Sequence, residues 1–236
     1  MNFMIYGNDC RHALLSAMLT KAGWSEQAPA DLLILSPKEH FTSHTDVLKE
    51  NAMIWGGPAS DMELLTKAGY KKITQSAAFR TKNSVYTAEG ALALAISESP
   101  VALCESRVFV LGYGFLGKEC SRLFAALNAA VTVYSKAPAE LALAERDGFP
   151  ALPLERLSAL DGTLILNTIP FPVLDKLPVS AKTTPALLIE LASTPCCTQE
   201  IPGVRILPGG ALPSRFSPDS AAKLMFEEIE THFRKE

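Results

Sequence analysis

Three glycines in the middle of the chain have the spacing that lets a backbone approach a pair of phosphates. Gly112, Gly114 and Gly117 form a G-x-G-x-x-G motif directly after the apolar run 107–111. Gly112 permits a tight turn, a side chain at Gly114 would collide with a pyrophosphate, and Gly117 allows close packing of a following helix. The amides that start this helix attract phosphate charge. The motif favours a dinucleotide-binding loop over a glycine turn kept only for packing. Its six residues are Gly112, Tyr113, Gly114, Phe115, Leu116 and Gly117.

The second predicted strand of this unit, 130–134, ends in residues that bear on the form of the cofactor. NAD sites usually have Asp or Glu there, which accepts from the ribose 2′-hydroxyl. Here Ser135 and Lys136 follow the strand, and the first acid is Glu140, in the next predicted helix. A hydroxyl and an ammonium hold a 2′-phosphate, which a carboxylate would repel. We therefore expect NADP, with NAD as the alternative if Lys136 is only a solvated loop residue.

Composition excludes several classes of protein. The chain has 236 residues, of which 48% are hydrophobic and 20% charged, as in a globular protein of one large or two small domains. A net charge of −3 offers no basic surface for nucleic acid, and no apolar run is long enough for a membrane span. The five cysteines contain no C-x-x-C pair, which argues against disulfides and a zinc site. We expect a cytoplasmic protein without a metal.

Short apolar runs alternate with helical patterns in the first part of the chain and around the glycine motif, which predicts α/β domains with parallel sheets. The second part, residues 99–236, carries the glycine motif and is expected to be a Rossmann domain with a doubly wound sheet. The first part, residues 1–98, is expected to be a smaller, flavodoxin-like substrate domain. A closing helix over 218–234 can pack back on the first domain.

Ligands of such sheets bind outside the carboxyl ends of the strands, so polar residues that follow strands are candidates for cofactor contacts. Thr168 and Ser193 are the best candidates for neighbours of the nicotinamide half, although both residues also suit loop capping. The candidates beyond the glycine loop are Ser135, Lys136, Asn167, Thr168, Ile169, Pro170, Ala192, Ser193 and Gly209.

Several short motifs resemble, in order and approximate spacing, the family formed by the A subunits of dipicolinate synthase. Similar Rossmann modules occur in shikimate dehydrogenases and adenosylhomocysteine hydrolases, so the wider set of motifs carries the resemblance. They are G-N-D-C-R at 7–11, N-S-V-Y-T-A-E-G at 83–90, V-L-G-Y-G at 110–114, L-N-T-I-P at 166–170 and L-A-S at 191–193.

The resemblance implies a sporulation enzyme. Members of the family oxidise dihydrodipicolinate, or its hydrated precursor, to dipicolinate with NADP as acceptor, and they work with a flavoprotein-like second subunit. We also expect a homo-oligomer. Two alternatives remain open: another NADP-dependent dehydrogenase of a small carboxylic acid, similar to shikimate dehydrogenase, or a non-catalytic nucleotide-binding subunit.

A dicarboxylate substrate requires cations, and a dehydrogenation requires a proton acceptor. Arg11 matches the family and follows the first predicted strand, although a lone arginine is more often a surface charge. Thr87 and Glu89 are expected in the first turn of a helix that begins near Asn83. Glu89 is the first candidate for the proton acceptor and Asp9 the second, while the alternative for Glu89 is simple stabilisation of the helix dipole.

Overall fold

The chain folds as two compact units. The computed structural model describes residues 1–36, 40–41, 45–57, 59–161 and 163–234. The first unit combines Met1–Arg80 with Ser217–Glu236, and the second is Thr81–Phe216. The division falls at 80/81, earlier than the 98/99 boundary expected from the sequence, and the closing helix belongs to the first unit. No helix in the described ranges is long and apolar enough to cross a membrane.

Both units combine helices with parallel strands, as the apolar pattern predicts, but the alternation is incomplete, because the last three strands of the chain are connected by segments without a helix. The strands are β1 (Asn2–Tyr6), β2 (Ser25–Glu26), β3 (Ala30–Leu35), β4 (Leu48–Gly56), β5 (Lys71–Lys72), β6 (Arg107–Leu111), β7 (Ala130–Ser135), β8 (Ala151–Pro153), β9 (Thr163–Asn167), β10 (Ala186–Glu190) and β11 (Val204–Pro208). The helices are α1 (Cys10–Lys21), α2 (Ala59–Lys67), α3 (Ala77–Glu98), α4 (Phe115–Ala126), α5 (Pro138–Arg146), α6 (Leu212–Phe216) and α7 (Pro218–Phe233). The sequence pattern missed β2, β8 and α6, because such short elements carry too little periodicity.

The first unit contains a parallel sheet with the strand order β2-β1-β3-β4-β5. Numbered from its own first strand, this is the order 2-1-3-4-5 of flavodoxin-like folds. Helix α7 packs on this unit through an edge-on contact of Trp24 with Phe233, whose ring centroids lie 4.8 Å apart. The Trp24 indole also donates to Glu230 at 3.2 Å. The expected flavodoxin-like fold is confirmed.

The second unit contains a parallel six-stranded sheet with the order β11-β10-β9-β6-β7-β8. Numbered from β6, this is the Rossmann order 3-2-1-4-5-6, in which the direction of winding switches between β6 and β9. Val108 and Val110 pack under α3 and α4, whereas Phe109 and Leu111 face a core covered mostly by irregular segments. The expected Rossmann sheet is confirmed, with helices concentrated on one face.

Helix α3 begins earlier than the sequence indicates, at Ala77 instead of near Asn83. The hydroxyl of Ser76 accepts from the amide of Phe79 at 3.0 Å, which is the hydrogen bond of a helix N-cap. Ser76 is itself fixed by Glu228 of α7, which accepts from its amide at 2.6 Å and from its hydroxyl at 2.9 Å. A tertiary partner distant in sequence therefore helps to set the start of the helix.

We predict that Ser76→Ala lowers the free energy of unfolding of the first unit by about 2 kcal/mol, because it removes a helix cap and one partner of a buried carboxylate. Denaturant unfolding followed by tryptophan fluorescence measures this, since both tryptophans, Trp24 and Trp55, lie in the first unit. Thr66→Ala is the control, because the Thr66 hydroxyl donates to a carbonyl of its own helix. Equal effects of the two substitutions would contradict the assignment of Ser76 as the cap.

Candidate functional site

The glycine loop connects β6 to α4 and has the shape that the motif predicts. Gly112 has a left-handed φ of 87°, and a Cβ there would lie 2.8 Å from Oγ1 of Thr168. A Cβ at Gly117 would overlap the carbonyl of Gly112. A Cβ at Gly114, in contrast, would meet no atom of the chain within 4 Å. Two glycines are thus required by the packing of the protein, whereas the third borders open space.

The open space lies at the start of a helix. Gly114 is the N-cap of α4 and brings no side chain that could accept from the first-turn amides, and no acid occurs in that turn. The partial positive charge of a helix N-terminus stabilises an anion placed there. The donor set and the space at Gly114 therefore fit a diphosphate, which identifies the dinucleotide as the cofactor class that these residues can hold.

Tyr113 and Leu116 contribute to the loop mainly through their backbone. The ring of Tyr113 is buried beside Val133 and Ala144, and its hydroxyl donates to Asp147 at 3.2 Å. Burial, helped by Asp147, raises the pKa of the Tyr113 phenol, so the ring is a neutral part of the core. Leu116 packs on the core, and the side chain of Phe115 is exposed.

Thr168 and Asn167 hold the end of β9 against the glycine loop. The hydroxyl and the amide of Thr168 both donate to the carbonyl of Leu111, at 2.7 and 3.0 Å. The buried amide group of Asn167 donates to Glu190 and to the carbonyl of Ile169, and it accepts from the Ile169 amide. Both side chains shape the edge of the sheet where the strands end. The hydroxyl hydrogen of Thr168 and both side-chain amide hydrogens of Asn167 are already used in hydrogen bonds within the protein. Pro170 is exposed beside them.

The buried carboxylate of Glu190 was not identified from the sequence. It accepts from Asn167 at 2.5 Å, from the amide of Ala192 at 3.2 Å and from the amide of Cys196 at 2.8 Å. Glu190 thereby fixes the loop that follows β10 and leaves Ser193 exposed on it. The available signal was an acid at the end of an otherwise apolar strand, since buried acids are rare without partners.

Gly209 directly follows β11 at the same edge of the sheet. Its amide donates to the carbonyl of Glu190 at 2.8 Å, and a Cβ on Gly209 would lie 2.7 Å from the same oxygen. The sheet order now places five segments along one edge, because parallel strands end on the same side. These segments are the glycine loop, 135–136, 167–170, 192–193 and 208–213.

The end of β7 differs from the sequence-based interpretation. Ser135 is buried, and its hydroxyl donates to Oε2 of Glu140 at 2.6 Å. The same carboxylate oxygen accepts from the amide of Tyr113 in the glycine loop at 2.9 Å. Helix α5 begins at Pro138, so its first turn carries Glu140 back to the strand end. The premise that no acid lies at this position was therefore wrong, and Lys136 is an exposed loop residue.

In the first unit, Asp9 and Arg11 form one ion pair. Asp9 is the N-cap of α1, as the sequence predicts, and accepts from the Arg11 amide. The guanidinium of Arg11 donates to both carboxylate oxygens of Asp9, at 2.9 and 2.7 Å. An Asp with both oxygens engaged is better suited to orient Arg11 than to accept a proton from a substrate.

Thr87 and Glu89 lie in the middle of α3 and not in its first turn. The expected interaction of Glu89 with the helix dipole is therefore wrong, since that effect is confined to the first turn. The hydroxyl of buried Thr87 donates to the carbonyl of Asn83 at 2.8 Å. Glu89 is exposed and borders a cavity of about 270 Å³ between α3 and α4, which Glu119 and Arg122 also line.

The adjacent thiols of Cys196 and Cys197 lie in surroundings that disfavour the thiolate. Burial raises the pKa of the Cys196 thiol, with a further contribution from Glu190, and burial also raises the pKa of the Cys197 thiol. Such thiols are poor nucleophiles. Within the described ranges, no three His, Cys, Asp or Glu side chains are grouped as a metal site requires.

Comparison with known proteins finds similarity both in sequence and in structure. No protein-family model matches the chain. The A subunit of dipicolinate synthase from Bacillus subtilis (strain 168) is 33% identical over 149 residues, which is 61% of this chain and 50% of that protein. The match thus spans about half the length of this curated relative.

The solved structures extend the similarity of fold to the whole chain. Dipicolinate synthase, A chain, from Bacillus subtilis has a TM-score of 0.73 at 22% identity, and the match covers 100% of this chain and 96% of that one. D-lactate dehydrogenase with NAD⁺ from Lactobacillus jensenii has a TM-score of 0.54 at 12% identity, over 98% and 95% of the two chains. The resemblance found in the sequence is therefore confirmed: this chain is similar to the A subunit of dipicolinate synthase, and it has the fold of a Rossmann-type dehydrogenase.

Proposed function

We propose that this chain is an NAD(P)-dependent oxidoreductase of the same type as the A subunit of dipicolinate synthase. The glycine loop carries the proposal, because Gly114 borders open space at the start of α4 while Gly112 and Gly117 are required by close packing. The backbone of this loop would hold the diphosphate of the cofactor. The 33% identity to one dipicolinate synthase polypeptide supports the reaction type.

The proposed substrate is dihydrodipicolinate or its hydrated precursor, which becomes dipicolinate during sporulation. A bound nicotinamide would accept the hydride. The chain must then hold the substrate carboxylates and accept one proton. We assign carboxylate binding to Arg11, whose guanidinium is held in a fixed orientation by Asp9. We assign proton acceptance to Glu89, an exposed carboxylate in the N-S-V-Y-T-A-E-G motif that contributes to the family resemblance.

The proposal includes a second protein. The relative is named as one of the subunits of its synthase, which supports a complex with another polypeptide, flavoprotein-like by the family resemblance. A homo-oligomer remains a prediction from the sequence. The fold shared with D-lactate dehydrogenase also supports the second candidate function, oxidation of another small carboxylic acid by the same cofactor site.

The direct test incubates the purified chain with dihydrodipicolinate and either NAD or NADP and follows the absorbance of the reduced nicotinamide. We expect reduction of the cofactor together with formation of dipicolinate. Reduction only with other small acids would favour the second candidate function. Cofactor binding without turnover of any acid would favour a nucleotide-binding subunit whose chemistry requires the second protein, and no binding of either nucleotide would reject the proposal.

We predict that Gly114→Ala weakens dinucleotide binding by about 1 to 3 kcal/mol, the cost of placing a methyl group where atoms must pack closely. Thermal stability should stay unchanged, because no atom of the chain lies within 4 Å of the new Cβ and the φ of −73° suits alanine. Isothermal titration calorimetry measures the affinity, and calorimetric unfolding measures stability.

Gly117→Ala is the matched comparison, because its Cβ would overlap the carbonyl of Gly112. We expect this variant to lose stability as well as affinity. If Gly114→Ala bound the dinucleotide as tightly as the wild-type protein, the diphosphate would not lie against this loop.

We predict that Arg11→Gln raises KM for the dicarboxylate at least about tenfold, since a charge-assisted hydrogen bond contributes about 1.5 to 3 kcal/mol. The dissociation constant of the dinucleotide should not change. Lys21→Gln, which removes an exposed charge from the same helix, is the control. An unchanged KM in a folded Arg11→Gln variant would show that Arg11 only stabilises Asp9.

A further inference from the structure

We propose that Glu140 selects NAD(H) over NADP(H) by accepting a hydrogen bond from the adenosine ribose 2′-hydroxyl. This inference rests on the proposed function and reverses the cofactor preference that the sequence alone favours. NAD-binding Rossmann units usually take this acid from the end of the second strand. Here the acid comes from the first turn of the helix that follows that strand, two residues after Pro138.

The carboxylate of Glu140 is fixed against the glycine loop. Its Oε2 accepts from the Tyr113 amide at 2.9 Å and from the Ser135 hydroxyl at 2.6 Å. These two partners belong to the loop after β6 and to the end of β7, which are neighbouring strands. The carboxylate therefore lies beside the proposed diphosphate loop, where the adenosine ribose of a bound dinucleotide would follow.

The second oxygen of Glu140 remains available. Oε1 accepts no hydrogen bond from any residue in the described ranges. Every buried side-chain oxygen or nitrogen in those ranges has a hydrogen-bond partner. Because Oε1 has none, it is not buried and reaches solvent. An unpaired carboxylate oxygen that faces solvent beside the loop can accept from a ribose hydroxyl.

Ser135 and Lys136, which the sequence suggested as partners of a 2′-phosphate, do not form a binding site for it in the structure. The Ser135 hydroxyl already donates to Glu140, and the backbone amide of Ala137 donates to the same hydroxyl at 3.1 Å. Lys136 is exposed, so water screens its charge. The ordered carboxylate of Glu140 would oppose a 2′-phosphate at close range, and we expect this repulsion to exceed the attraction by Lys136.

The test measures dissociation constants of NADH and NADPH by titration of the purified protein, using the fluorescence of the reduced nicotinamide. We expect the unchanged protein to bind NADH at least about tenfold more tightly than NADPH, because like charges placed together disfavour binding. Glu140→Gln keeps an acceptor oxygen for Tyr113 but removes the charge. It should reduce the preference at least about fivefold, mainly by tightening NADPH binding. Glu145→Gln is the control, since Glu145 is an exposed acid on the same helix.

Each other outcome rejects a defined part of the argument. If the wild-type protein bound NADPH as tightly as NADH, or more tightly, the proposed role of Glu140 would be overturned and the proposed function would remain. An equal change of both affinities in Glu140→Gln would mean that the residue only joins the glycine loop to the end of β7. The same loss of preference in Glu145→Gln would point to net charge and not to position. Binding of neither nucleotide would reject the proposed function itself, and this inference with it.

Discussion

The second unit depends on one close approach, in which α4 begins directly against the end of β6. Gly117 lies so near the carbonyl of Gly112 that a single methyl group would separate helix and strand. Thr168 completes the contact, because its hydroxyl lies next to both glycines and donates to the carbonyl of Leu111. The first turn of α4 is thereby fixed at the edge of the sheet where the winding direction switches. A looser packing would leave the same amides without a defined position for a ligand.

Two carboxylates hold the loops around this contact in place through hydrogen bonds. Glu140 joins the glycine loop to the end of β7, and Glu190 joins the ends of β9 and β10 to the segment that precedes Cys196. Each carboxylate accepts from backbone amides, and hydrogen bonds to charged groups are worth about 1.5 to 3 kcal/mol each. Acids with such roles have two effects, since they order the loops and also place negative charge beside the proposed cofactor site. The proposed preference for NAD(H) would thus follow from the same carboxylates that order this edge of the sheet.

The fold and the geometry of the glycine loop could be predicted from the sequence because both depend on local patterns. Apolar runs fix the strands, and the glycine spacing fixes the turn between β6 and α4. The partners of Glu140 and Ser76 could not be predicted in this way. Glu140 contacts Tyr113 only because β6 and β7 are neighbours in the sheet, and Ser76 meets Glu228 across 152 positions of sequence. Such contacts require the tertiary structure, so a residue assigned to the next helix can act at the end of the preceding strand.

Topology explains why the candidate residues of the two units occupy equivalent places. In the first unit the winding direction switches between β1 and β3, and in the second between β6 and β9. The connection that follows the switch-point strand begins with a left-handed glycine in each unit, Gly7 with a φ of 97° and Gly112 with a φ of 87°. Asp9 and Arg11 follow the first glycine, and a charge-free glycine loop follows the second. Open parallel sheets bind ligands at this place because two connections leave the sheet edge in opposite directions there and open a crevice. Under the proposed function, the same backbone arrangement would offer a cation to carboxylates in one unit and helix amides to phosphates in the other, and side-chain chemistry alone would separate the two roles.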